Sequence, residues 1–68
     1  MSRPKRRVVV VDPADVQSLF DLFCQIDPRP DPDMACRHAY LVQKAHGMTE
    51  AYAREFARRV REKMIWLK

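Results

Sequence analysis

Apolar residues recur at helical spacing in three stretches of this chain. Val16, Leu19, Phe20, Phe23 and Ile26 make the first stripe, with Leu22 and Cys24 widening it on its two flanks and Gln17, Ser18, Asp21 and Gln25 on the wet side. The second stripe is Met34, Ala35, His38, Leu41, Val42 and Ala45, and the opposite side carries Cys36, Arg37, Tyr40, Gln43 and Lys44. The third and longest is Tyr52, Ala53, Phe56, Ala57, Val60, Met64 and Leu67. Ahead of them Val8-Val9-Val10-Val11 is a β-branched run, which predicts a strand or an extended segment. A continuous apolar run predicts burial on both faces. Such a segment needs a second strand edge, or else a groove between helices to lie in.

The boundaries are marked as sharply as the stripes. Asp12 stands as an N-cap before Pro13 at the first helical position, Asp15 makes an acidic variant of the capping box, and Val11 and Val16 are placed as a hydrophobic staple. Asp27-Pro28-Arg29-Pro30-Asp31-Pro32-Asp33 has proline at every second position, so helix cannot run through it. Gly47, the only glycine, stands where a helix C-cap needs a left-handed residue; Thr49 then caps the last helix and Glu50 puts an acid in its first turn. The expected fold is all-α: helices over about 12–27, 32–46 and 50–67, a helical hairpin hinged at Gly47, and a short N-terminal extended segment. Residues 8–68 form one domain and residues 1–7 a basic disordered arm.

A chain of 68 residues buries little apolar surface. Cys24 and Cys36 could supply a disulfide, but the N-terminal stretch has no secretory apolar core, so reduced thiols and a cytoplasmic location are expected. No apolar run reaches the ~20 residues that span a bilayer, so no membrane partner is expected. With no staple in view, a homodimer is the expected way to complete the core. The net charge of +4 is unevenly spread. Residues 1–7 hold Arg3, Lys5, Arg6 and Arg7; residues 8–34 hold six aspartates against Arg29; residues 35–68 hold eight Lys and Arg against three Glu. A basic–acidic–basic chain suits a partner of mixed charge, or self-association of unlike parts.

Enzyme chemistry has no scaffold here: there is no nucleophile elbow, glycine-rich loop or base with an orienting partner. Cys24, Cys36, His38 and His46 match no common zinc spacing, and no cofactor is expected. His38 in the middle of an apolar stripe predicts a buried or half-buried histidine with one hydrogen bond. Two binding readings remain. In the first, DNA is held by Arg3, Lys5, Arg6 and Arg7 of the arm and by Arg54, Arg58 and Arg61 on one face of the last helix. Val42–Phe56 loosely follows helix-turn-helix spacing, but Gln43 replaces the small residue expected four before the glycine, and Glu50 and Glu55 face phosphates badly.

In the second reading the chain docks on another protein. Tyr40 stands on the polar side of its helix between Arg37 and Lys44, and Ile65 and Trp66 fall off the last stripe near the chain end. Tyr, Trp and Arg dominate binding hot spots, so Arg37, Tyr40, Lys44, Ile65 and Trp66 are the candidate contacts. In size, helical content and exposed aromatic, residues 12–68 resemble small phage early proteins that disarm bacterial regulators. The type they are most similar to is the anti-quorum-sensing anti-activators, which bind a LuxR-type transcription factor and also a pilus-assembly ATPase. The likeness is general and carries no shared motif. It implies a non-enzymatic protein that inhibits or modulates a host regulatory protein in the host cytoplasm, and it assigns no site residues.

Overall fold

A computed structural model describes residues 9–67. Three helices follow in order: α1 Pro13–Gln25, α2 Pro32–Ala45 and α3 Glu50–Trp66, with no strand among the described residues. The fold is all-α, as the three stripes predict. Each helix starts where its cap stands. Asp12 Oδ1 accepts from the Ala14 amide at 2.9 Å, Asp31 Oδ1 from Met34 at 2.8 Å, and Thr49 Oγ1 from Tyr52 at 3.1 Å. Pro13 and Pro32 sit just inside α1 and α2, where a missing N–H costs nothing. The first cap differs in detail from the expected box, because the Asp15 side chain makes no reciprocal bond and Asp12 serves the second amide.

α2 ends in a Schellman turn. The Met48 amide donates to the Gln43 carbonyl, the Gly47 amide donates to the Lys44 carbonyl, and Gly47 takes φ +82°. The turn folds α2 back along α3, and this pair is the most extensive contact in the molecule. α1 lies across another flank of α3 by a smaller contact and barely meets α2, chiefly through Phe23 edge-on to His38 with ring centres 5.9 Å apart. The shared core is Val11, Val16, Phe23, Ala35, Ala39, Phe56, Ala57, Val60 and Met64. Val11 and Val16 are both in it, as the staple predicts, and every residue of the α3 stripe is buried or half-buried.

Three expectations are corrected. The valine run is not buried on both faces: Val11 is in the core and Val9 packs against it, but Val10 between them is 80% exposed. An extended segment lying on helices hides alternate side chains only. α1 stops at Gln25, with Ile26 as its C-cap, and Leu22, Cys24 and Ile26 are all exposed. The buried arc of α1 is therefore narrower than its stripe. The largest correction is to α2, which is turned by roughly one residue's rotation, about 100°, from the expected orientation. Ala35 and Ala39 are fully buried and Cys36 and Tyr40 pack on the core, while Met34, His38, Leu41 and Ala45 face outward. Small side chains let two helix backbones approach closely, and that contact outweighs the burial of two larger residues on one edge. Residues 1–8 and 68, including the expected basic arm, lie outside the described residues.

Candidate partner-binding site

The rotation of α2 changes the meaning of Tyr40. It is not a free aromatic on a wet face. Its ring is half-buried against the core, and its hydroxyl donates to Glu50 Oε1 at 2.7 Å. Glu50 also accepts from Arg54 Nε at 2.8 Å and lies 3.6 Å from Lys44 Nζ. The hydrogen bond to Glu50 raises the Tyr40 hydroxyl pKa; the same bond, followed by that from Arg54, holds the Glu50 carboxyl below the usual glutamate range. Tyr40 and Lys44 thus belong to a clamp between the end of α2 and the start of α3. Arg37 remains exposed on the outer side of α2, with no ion-pair partner among the described residues.

The arginines of α3 are engaged by acids. Arg54 pairs with Glu50, Arg58 with both Glu55 at 2.7 Å and Glu62 at 2.6 Å, Arg59 with Glu55 at 2.9 Å, and Arg61 with Asp33 of α2 at 3.0 Å. Glu50–Arg54 and Glu55–Arg59 are acid-first pairs one turn apart on an exposed helix face, where solvent leaves them little effect on stability. The hydrogen bond from Arg58, with a lesser one from Arg59, outweighs desolvation and leaves the Glu55 carboxyl below its ordinary range. Arg54, Arg58 and Arg61 therefore form an interleaved acid–base surface. A phosphate backbone approaching it would meet Glu50, Glu55, Glu62 and Asp33 beside every arginine. The remaining candidate phosphate contacts, Arg3, Lys5, Arg6 and Arg7, lie outside the described residues.

The far end of α3 is different. Trp66 is 80% exposed and Ile65 46%. Trp66 borders a hollow of about 420 Å³ between α1 and α3, lined also by Pro13, Gln17, Arg59, Glu62 and Lys63. Lys63 has no acid partner among the described residues and lies 5.6 Å over the Phe20 ring. The indole is therefore an apolar plate beside a recess of mixed charge, in which Lys63 is the cation without an acid partner among the described residues. The end of the third stripe foretells its exposure, but only the crossing of α1 over α3 brings Pro13 and Gln17 to it.

A second apolar surface was not foreseen. Because α1 and α2 both rest on α3 and meet one another chiefly at Phe23 and His38, a cleft separates them along the rest of their length. One end of it is lined by Leu19, Leu22, Val42, Met48 and Phe56, the other by Phe23, Ile26, Pro30, Met34 and His38. The outward arc of α2, with Met34 58% and Leu41 55% exposed, continues it. The signal was in the sequence, since both stripes are wider than a single contact with α3 covers. Among the described residues no three of His, Cys, Asp and Glu gather as metal ligands would, and no helix is long and apolar enough to cross a membrane. No family model, curated protein or solved structure matches the chain.

Proposed function

We propose that this chain is a small non-enzymatic protein that binds a host regulatory protein and inhibits or modulates it, with Trp66 as the anchor of the contact. The observation that supports this is the indole, 80% exposed on a folded helix beside a recess rimmed by Arg59 and Lys63. An exposed tryptophan costs solvation that a binding partner recovers, and tryptophan is the residue type most enriched among hot spots. Lys63, the cation of this recess with no acid partner among the described residues, calls for an acidic group beside an apolar pocket on the partner. Ile65 extends the apolar area. Tyr40 and Lys44 are tied into the clamp around Glu50, and neither they nor Arg37 line the Trp66 recess. A transcriptional regulator of quorum sensing is the partner class that the general likeness to phage anti-activators implies.

Affinity capture from a bacterial lysate followed by titration against the captured regulator tests this. Trp66→Ala should leave the helical signal unchanged and weaken binding about thirtyfold or more, the equivalent of a ~2 kcal/mol hot spot. A folded Trp66→Ala protein with full affinity would overturn the assignment. The alternative, a small DNA-binding regulator, has the basic residues of positions 1–7 in its favour. The salt dependence separates the two, since phosphate contacts lose affinity steeply as salt rises. An aromatic-anchored contact loses much less.

A further inference from the structure

We infer that the cleft between α1 and α2 is closed by a second copy of this chain, with α1 of each copy lying over α2 of the other. The cleft is distinct from the Trp66 recess and is not needed for it. Leu22 and Ile26 of α1 and Met34 of α2 line it and are each about half exposed, and Leu41, equally exposed, lies on the outward arc of α2 that continues it. Those four side chains expose on the order of 400 Å² of apolar surface, within the range of the patches that mark interaction sites. A stable interface begins at roughly 600 Å² per copy, so the polar residues on the borders have to contribute the rest.

Charge selects a second copy as the occupant and sets its orientation. α1 carries Asp15 and Asp21 and no cation, and neither aspartate has an ion-pair partner among the described residues. α2 carries the unpaired Arg37 on the outer border of its apolar arc, with Lys44 further along. Within one copy, Asp15 stands level with the C-terminal end of α2, across the cleft from Gln43 and His46, and Phe23 stands level with His38. A two-fold axis running along the cleft places α1 over α2 and brings Asp21 to the level of the other copy's unpaired Arg37. A two-fold axis across the cleft would instead stack α1 on α1, aspartate against aspartate, which like-charge repulsion disfavours. The resulting core is a four-helix layer of α1 and α2 pairs, with the two α3 helices outside and both Trp66 recesses free.

Sedimentation equilibrium of the full chain tests this. The wild-type protein should sediment at twice the chain mass at micromolar concentration. Leu41→Asp changes a residue that is already half in water, so the subunit should keep its helical signal while its dimer dissociation constant rises about thirtyfold or more. Asp21→Arg and Arg37→Asp should each weaken the dimer severalfold, and the double swap should restore most of the loss. Trp66→Ala should leave the mass unchanged. A folded wild-type monomer at high micromolar concentration would overturn the inference, and so would a Leu41→Asp protein that dimerises as tightly as wild type. Failure of the double swap to restore the dimer would overturn the placement of α1 over α2. None of these results bears on Trp66 binding, which is read by titration against the regulator.

Discussion

The two sides of α3 are held in different ways. On one side α2 is laid down through the small residues Ala35 and Ala39 and tied at both ends by polar contacts. Tyr40 reaches Glu50 near the hinge and Arg61 reaches Asp33 at the other end. On the other side α1 rests on Val16, Phe23, Leu19 and Phe20, with no hydrogen bond or ion pair to another helix among the described residues. The α2–α3 hairpin is local in sequence, closely packed and set in register at both ends. α1 is held by apolar contact and by the short connector. Apolar contact is non-directional, so a helix held by it alone has no polar register to lose and yields first when the structure opens.

The strongest test is to remove the side chain that serves both regions. Phe56 is 1% exposed, stacks on Tyr52 and lies under the cleft beside Leu19. Phe56→Ala should cost ~3 kcal/mol or more and lower the urea midpoint of the whole molecule. Phe23→Ala separates the regions: amides of 13–25 should lose hydrogen-exchange protection well before those of α2 and α3. Uniform loss of protection after Phe23→Ala would show that α1 is integral to the hairpin's stability.

The next effect in size lies in the turn that makes the hairpin local. Gly47 holds φ +82°, and a Cβ built there meets nothing within 4 Å. The cost of Gly47→Val is therefore backbone strain alone, about 1–2 kcal/mol, and Gly47→Asn should be milder. Thermal melts of the two variants, compared with wild type, measure that difference. Equal melting for Val and Gly would mean that the left-handed turn contributes nothing to hairpin stability.

The smallest effect is the acid response of the polar ties. Hydrogen bonds from Tyr40 and Arg54 lower the pKa of Glu50, and those from Arg58 and Arg59 lower that of Glu55. The folded state then binds fewer protons than the unfolded chain through the acid range, so stability rises with pH there. The contribution is complete above the ordinary glutamate range, about pH 4.3. It is lost as pH falls through the lowered values. Melting temperature followed from neutral to acid pH should drop on that side, and Glu50→Gln should remove part of the slope. An unchanged slope in Glu50→Gln would place the acid sensitivity outside the α2–α3 clamp.

Much of this architecture is legible along the chain because it is local chemistry. Asp12, Asp31 and Thr49 cap the helices wherever the rest of the chain goes, since a side-chain oxygen satisfies amides only two or three residues away. Pro13 and Pro32 start helices, and Gly47 ends one, by the same short-range sterics. The α3 stripe, from Tyr52 through Leu67, is buried as its spacing requires, because the central helix is packed by both of its neighbours. Glu50–Arg54 and Glu55–Arg59 pair one turn apart for the same local reason.

The orientation of α2 and the fate of the surplus apolar surface were decided only in three dimensions. Hydropathy ranks Met34 and Leu41 above Ala35 and Ala39 and so turns the larger residues inward. It carries no information on how closely two helix axes can approach, and that distance decided the contact. Once the alanines face α3, Tyr40 follows them inward to meet Glu50, which stands ten residues on in sequence and becomes its neighbour only through the Gly47 turn. Met34 and Leu41 are left facing out, and Met34 with Leu22 and Ile26 lines a cleft that neither helix forms alone. Periodicity along the chain shows how much apolar surface a helix carries; the tertiary packing determines which part of it α3 covers and which part is left for another chain.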